Sequence, residues 1–213
     1  MMKIALINGS PKKKDSASGL VLENFKAFLT GDDQIITELH FYRPQISTEE
    51  VDKLMDCDAL VFAFPLYVDA IPSHLLRCLR QLEWVLTALN GREILVYTIV
   101  NCGFYESQHN ELAIEMMKNW SVRAGLKWGQ GLAIGTGGML NMLENIKPGQ
   151  GPFKKMKKAF KQLANQILTR SSAETIYFTA SFPRFLYKLG GEAGWRKAIK
   201  ENGLKKKDLF LQK

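Results

Sequence analysis

The stretch Lys3-Ile-Ala-Leu-Ile-Asn-Gly-Ser-Pro-Lys-Lys-Lys-Asp-Ser-Ala-Ser-Gly19 decides how this 213-residue chain is read. A short apolar run, Ile4 to Ile7, breaks at Asn8-Gly9-Ser10-Pro11, and a helical pattern opens near Leu20. A strand that ends in a small, hydroxyl-rich turn and feeds a helix makes an anion cradle. Its backbone N–H groups point outward, and the helix N-terminus adds unpaired donors and a favourable dipole. Ser10, Ser16 and Ser18 offer hydroxyls, and Lys12 to Lys14 add positive charge. Two readings fit this turn, a phosphate seat and a serine that merely caps the helix. The glycine spacing of a P-loop or a dinucleotide fingerprint is absent. A turn with one glycine and three hydroxyls suits a terminal phosphomonoester better than a pyrophosphate or a triphosphate.

Outward from that turn, apolar β-rich runs recur at 34–41, 59–64, 94–100 and 132–134. Helical patterns lie between and after them at 20–29, 48–55, 73–89, 106–124 and 153–171. Strands that are apolar throughout and alternate with helices predict a parallel sheet covered on both faces. With five such units the expected fold class is α/β, a doubly wound five-stranded parallel sheet in the order 2-1-3-4-5. In such sheets ligands bind beyond the carboxyl ends of the strands. Residues 1–171 are expected to form this domain. Residues 172–213 read as a basic, α-rich extension packing on the domain or on a second subunit. In it, 175–181 reads as a short strand or extended segment, and 183–189 and 193–202 as two short helices.

Charge and cysteine content narrow the class. Residues 1–146 carry a balance of −4 and residues 147–213 one of +12, giving the net +8. A basic tail raises an anionic partner. In 153–168, however, Met156, Phe160, Leu163 and Ile167 share one face, so the lysines read as its solvated side. No nucleic-acid-binding motif accompanies them, and no nucleic-acid partner is expected. No apolar run approaches the roughly 20 residues of a membrane span. Cys57, Cys78 and Cys102 are odd in number and widely spaced, which suits reduced thiols in a cytoplasmic protein. No metal-ligand spacing occurs.

The ends of the later strands test the phosphate reading. The third run ends in Phe64-Pro-Leu-Tyr-Val-Asp-Ala-Ile-Pro72, two prolines framing an aromatic loop. The fourth ends in Val100-Asn-Cys-Gly-Phe-Tyr-Glu106, and the fifth in Gly135-Thr-Gly-Gly-Met-Leu140, which reads as open backbone. With these pieces the chain resembles the flavodoxin-like NAD(P)H-dependent FMN reductases and related flavin oxidoreductases over roughly residues 3–140. The resemblance implies that Ser10, Lys12, Ser16 and Ser18 hold the FMN phosphate. It implies that Pro65, Leu66, Tyr67 and Val68 lie against the isoalloxazine, and that Asn101, Cys102, Gly103 and Phe104 border the ring on its other side. Chemistry would then be carried by FMN, with no catalytic side chain. Electrons would pass from NAD(P)H through FMN to a small acceptor in ping-pong order, within a homodimer. The alternatives are a flavodoxin-like carrier reduced by a partner protein and a binding module that uses the basic tail.

Overall fold

The computed structural model describes residues 1–29, 31, 33–87, 93–205 and 207–208. The chain divides into two units, Met1–Ala180 and Ser181–Lys213. In the first, strands β1 (Met2–Asn8), β2 (Gln34–His40), β3 (Ala59–Pro65), β4 (Leu95–Asn101), β5 (Lys127–Ile134) and β6 (Ile176–Phe178) form one sheet. Every pairing is parallel and the order is β2-β1-β3-β4-β5-β6. The doubly wound order expected from the sequence is therefore present, but with six strands rather than five. The sixth falls within 175–181, expected as a short strand or extended segment but not counted in the sheet, because three residues carry too little periodicity to place them there.

Period-2 alternation assigns each strand residue to one of two cores. Ile4, Leu6, Val61, Ala63, Tyr97 and Ile99 face helices α1 (Ala17–Lys26) and α5 (Met156–Leu168). Ala5, Ile7, Phe62, Phe64, Val96 and Val100 face α2 (Thr48–Met55), α3 (Ser73–Leu86) and α4 (Glu111–Arg123). Met156, Phe160, Leu163 and Ile167 of α5 are buried, as their spacing requires. Each fully buried aliphatic or aromatic side chain contributes roughly 1.5–3 kcal/mol, so two complete cores hold the sheet rigid between the helices.

β5 begins five residues earlier than its apolar signal. Gly129 and Gly131 dilute the hydrophobic run, yet both glycines are required by packing. A Cβ on Gly129 would lie 2.3 Å from the Tyr97 ring, and one on Gly131 would lie 2.8 Å from Ile114. The helix expected over 73–89 is observed as far as Leu86, and Ala88 and Leu89 lie outside the described residues. The helix expected over 106–124 opens with a 3₁₀ turn, Ser107–Asn110, ahead of α4.

Among its described residues the second unit has one helix, α6 (Arg184–Glu201), where two short helices were expected. The gap between the two expected helices holds Gly190 and Gly191, but glycine keeps its N–H and the backbone ladder continues through it. The cost is about 1 kcal/mol per glycine relative to alanine. Gly203, at φ +71°, lies just beyond the helix. Among the described residues no helix is long and apolar enough to cross a membrane.

Candidate functional site

Four loops leave the carboxyl edge of the sheet next to one another, after β1, β3, β4 and β5. The first is shaped by Asn8. Its Oδ1 accepts from Ser10 N at 3.0 Å, and its Nδ2 donates to Ser16 Oγ at 3.2 Å. Ser16 is the N-cap of α1, accepting from Gly19 N at 3.0 Å. Gly19 must lack a side chain, since a Cβ there would lie 2.9 Å from that same hydroxyl. Among the described residues, the backbone N–H groups of residues 13–18 meet no acceptor. Asp15, with φ +51°, bends the chain within this run. A row of outward N–H groups at a helix N-terminus is a seat for a phosphate.

The hydroxyls divide by what their protons do. Ser10 Oγ accepts from Lys12 N at 3.3 Å, and Ser16 Oγ only accepts, so both retain a proton to donate. Ser18 Oγ instead donates to Asn101 Oδ1 at 2.7 Å in a buried bond between the first loop and the end of β4. Ser10 and Ser16 are thus free donors, whereas Ser18 is a strut. Lys12 is exposed at the rim. The loop itself is braced from β2, where His40 Nε2 lies 2.9 Å from Ser10 O. Asn8 and His40 escaped the sequence reading. The Asn-Gly-Ser turn, in which an asparagine side chain bonds two residues on, was the available signal for the first.

Pro65 ends β3 opposite Asn101, where its missing N–H costs no ladder bond. Leu66 is half-buried and donates its N–H to Asn101 O at 2.8 Å. Tyr67 and Ala70 exchange backbone bonds at 3.1 and 3.2 Å around Val68 and Asp69, whose φ values are +50° and +57°. This is the geometry of a tight hairpin turn that favours Asn-Gly. A valine there is strained, and Val68 is 98% exposed. The N–H groups of Val68 and Asp69 meet no acceptor among the described residues, while those of Leu66 and Tyr67 are used.

Cys102 is buried, its Sγ 3.4 Å from Asn110 Nδ2. Burial pushes its thiol pKa up, against the backbone bond to Phe104 and the Asn110 bond that lower it. It is a packed thiol rather than a thiolate. Gly103 is exposed, and Phe104 is exposed with its ring 4.2 Å from the ring of His109. The N–H of Phe104 meets no acceptor among the described residues.

The loop after β5, expected to present open backbone, is closed against its neighbour. A Cβ on Gly135 would lie 2.4 Å from Tyr105 O, and one on Gly137 would lie 2.4 Å from Cys102 O. Thr136, at φ +55°, donates its N–H to Phe104 O at 2.6 Å. Its Oγ1 accepts from Ala180 N at 3.0 Å. Of the expected residues, Ser10, Lys12, Ser16 and Ser18 share one loop, Pro65 to Val68 the second, and Asn101 to Phe104 the third. Ser18–Asn101 and Leu66–Asn101 bonds tie the three together.

Residues 2–77 match a family model described as a flavodoxin-like fold. No curated protein sequence matches the chain. The fold is similar to that of an NADH:FMN oxidoreductase in its apo form, with a TM-score of 0.60 and 17% identity, covering 82% of this chain and 92% of that one. It is similar to an NAD(P)H:quinone oxidoreductase from Methanothermobacter marburgensis, with a TM-score of 0.58 and 17% identity over 78% and 96%. A flavodoxin, WrbA-like protein from Agrobacterium tumefaciens gives 0.54 and 10% over 79% and 99%. At these identities the likeness is one of fold. It agrees with the resemblance to flavodoxin-like flavin oxidoreductases carried by the loops.

Proposed function

We propose that this protein is an FMN-dependent oxidoreductase. In this reading it passes electrons from NAD(P)H to a small acceptor, such as a quinone, a nitro or azo compound, a free flavin or a metal ion. The observation that carries the reading is the row of acceptor-free N–H groups over residues 13–18, flanked by the Ser10 and Ser16 hydroxyls. It fits the phosphate of FMN, with Lys12 supplying charge. Bound FMN supplies hydride acceptance and donation. The chain's own part is to seat and orient the ring. Pro65, Leu66, Tyr67 and Val68 form one border, and Asn101, Cys102, Gly103 and Phe104 the other. The N–H groups of Val68, Asp69 and Phe104 remain to stabilise negative charge that develops on a reduced ring. No titrating side chain is required, and one open face serves donor and acceptor in turn, which is ping-pong order.

The same reading makes the chain a cytoplasmic homodimer, with residues 172–213 contributing to the subunit contact. Three free, buried cysteines accord with a reducing compartment. Sedimentation at micromolar concentration tests the assembly, and a sharp monomer would remove it.

A visible absorption spectrum of the purified protein with added FMN, titrated anaerobically with NADPH and then NADH, tests the function. Flavin bands that follow the protein and bleach with a nicotinamide are expected. Bands that persist would point to a carrier reduced by a partner protein, and absence of bound flavin would overturn the site.

A further inference from the structure

At the edge of the first loop stands a concentration of positive charge that reaches beyond the flavin phosphate seat, from Lys13 to Arg43. Lys13 Nζ lies 5.2 Å from the centroid of the Tyr42 ring, and the Arg43 guanidinium carbon lies 4.7 Å from it. Arg43 also donates to the Tyr42 hydroxyl. Two cations thus converge on one ring, and neither meets a carboxylate among the described residues. Elsewhere in the first unit Lys3, Lys26, Lys53, Arg123 and Arg170 each pair with Asp or Glu. Holding two like charges together without a counter-ion is unfavourable unless an anion completes the cluster. A guanidinium stacked on an aromatic ring keeps its planar fork available for phosphate oxygens.

Position identifies which anion. Tyr42 follows β2, which neighbours β1 on the side away from β3 and β4. His40 joins the two, with its Nε2 2.9 Å from Ser10 O and its ring 5.3 Å from the Tyr42 ring. The cluster therefore spans the phosphate loop, through Lys13, and the strand beside it, through Tyr42 and Arg43, on the side opposite the loops that border the ring. Next to it opens a cavity of about 570 Å³ lined in part by Phe41, Tyr42 and Ile46. Glu38, Glu49 and Glu50 also line it, the first two paired with Lys26 and Lys53 and the third bonded within the cap of α2. Arg43 lines the same cavity, so a nucleoside that enters it brings its phosphate to the guanidinium.

We propose that Lys13, Tyr42 and Arg43 bind a second phosphate, carried by a dinucleotide whose nucleoside enters this cavity. The assignment rests on the first loop being the seat of a flavin phosphate. The second phosphate comes either from the flavin itself, as the pyrophosphate of FAD, or from the 2′-phosphate of NADPH.

The test compares the wild-type protein with the variant Arg43→Gln, each checked for an unchanged thermal midpoint. Flavin fluorescence quenching gives affinities for FMN and FAD, and FMN-loaded protein gives kcat/KM for NADPH and NADH. FMN affinity is expected to stay within about twofold. If FAD is the source, FAD binds more tightly than FMN to the wild type, and the variant loses that advantage by about tenfold or more. If NADPH is the source, the preference for NADPH over NADH collapses instead by a similar factor. Equal losses for FMN and FAD, or no change in any of the four ligands, would overturn the proposal. Calorimetric titration with adenosine 2′,5′-bisphosphate separates it from the first-loop reading. Binding that the variant loses, in a protein that takes up no FMN, would leave the cluster standing and remove the flavin seat.

Discussion

Ser16 does two jobs with one oxygen, and a single substitution separates them. Its Oγ caps α1, and its proton is free for a ligand. Aspartate caps as well as serine does, whereas alanine costs about 1 kcal/mol. Ser16→Asp is therefore expected to keep the thermal midpoint while a carboxylate in the phosphate seat lowers FMN affinity by at least about tenfold. Ser16→Ala should lose stability and some affinity together. Melting curves and flavin titration on both variants check this, and unchanged FMN binding in Ser16→Asp would move the phosphate elsewhere. Cys102 yields a second outcome at this scale. Its buried thiol stays protonated at neutral pH because burial pushes its pKa up, so Cys102→Ser should turn over within about twofold of the wild type. A loss of about a hundredfold would make the sulfur a reacting group. The hydroxyl-rich turn leading from β1 into the Ser16-capped helix was legible from the sequence. That Ser18 spends its proton on Asn101, 83 residues away, was not, because such a bond depends on which strands become neighbours.

Among the elements, the hairpin turn at 67–70 stores strain. Val68 and Asp69 both sit in the left-handed region, which costs roughly 1–2 kcal/mol for an ordinary L residue. Replacing them with Asn and Gly fits the turn without strain. Val68→Asn/Asp69→Gly is expected to raise the thermal midpoint by a few degrees while lowering reductase turnover, since strain that persists at a loop tip belongs to a site. Differential scanning calorimetry and steady-state rates check the pair, and unchanged rates would make the turn purely structural. The sequence showed two prolines and an aromatic here but gave no sign of the turn type. Its residues are not those the turn prefers. The same limit hid most of β5, where glycines diluted the apolar signal although Tyr97 and Ile114 fill the space a side chain would take. β1, β3 and β4 were legible because their middle residues are buried on both faces. The three-residue β6 was legible as a short strand or extended segment, but not as a member of the sheet, because its place depends on β5.

For the molecule as a whole, His74 ties stability to pH. It heads α3, and burial pushes its pKa below the ordinary 6.5. Backbone bonds to Phe41 and Gly9 oppose that shift, and His40 adds to it. The unfolded chain takes up a proton on this residue as the pH falls through about 6.5, and the folded chain takes it up only at lower pH. Stability is therefore full above that range and declines below it. Denaturant midpoints should fall between about pH 7 and pH 5, and His74→Gln should flatten that part of the profile. An equally steep fall in the variant would assign the dependence to other groups.

Asn101 has a consequence for energetics. Its side chain accepts from Ser18, beside the first loop, and its carbonyl accepts from Leu66, beside the third-strand loop. In the proposed function, this one residue would be a shared vertex of the two ends of the flavin. A change of oxidation state felt at one end is transmitted to the grip at the other, and linkage makes the exchange reciprocal. Affinity for the phosphate and midpoint potential of the ring then cease to be separate quantities, and Asn101→Ala should move both at once.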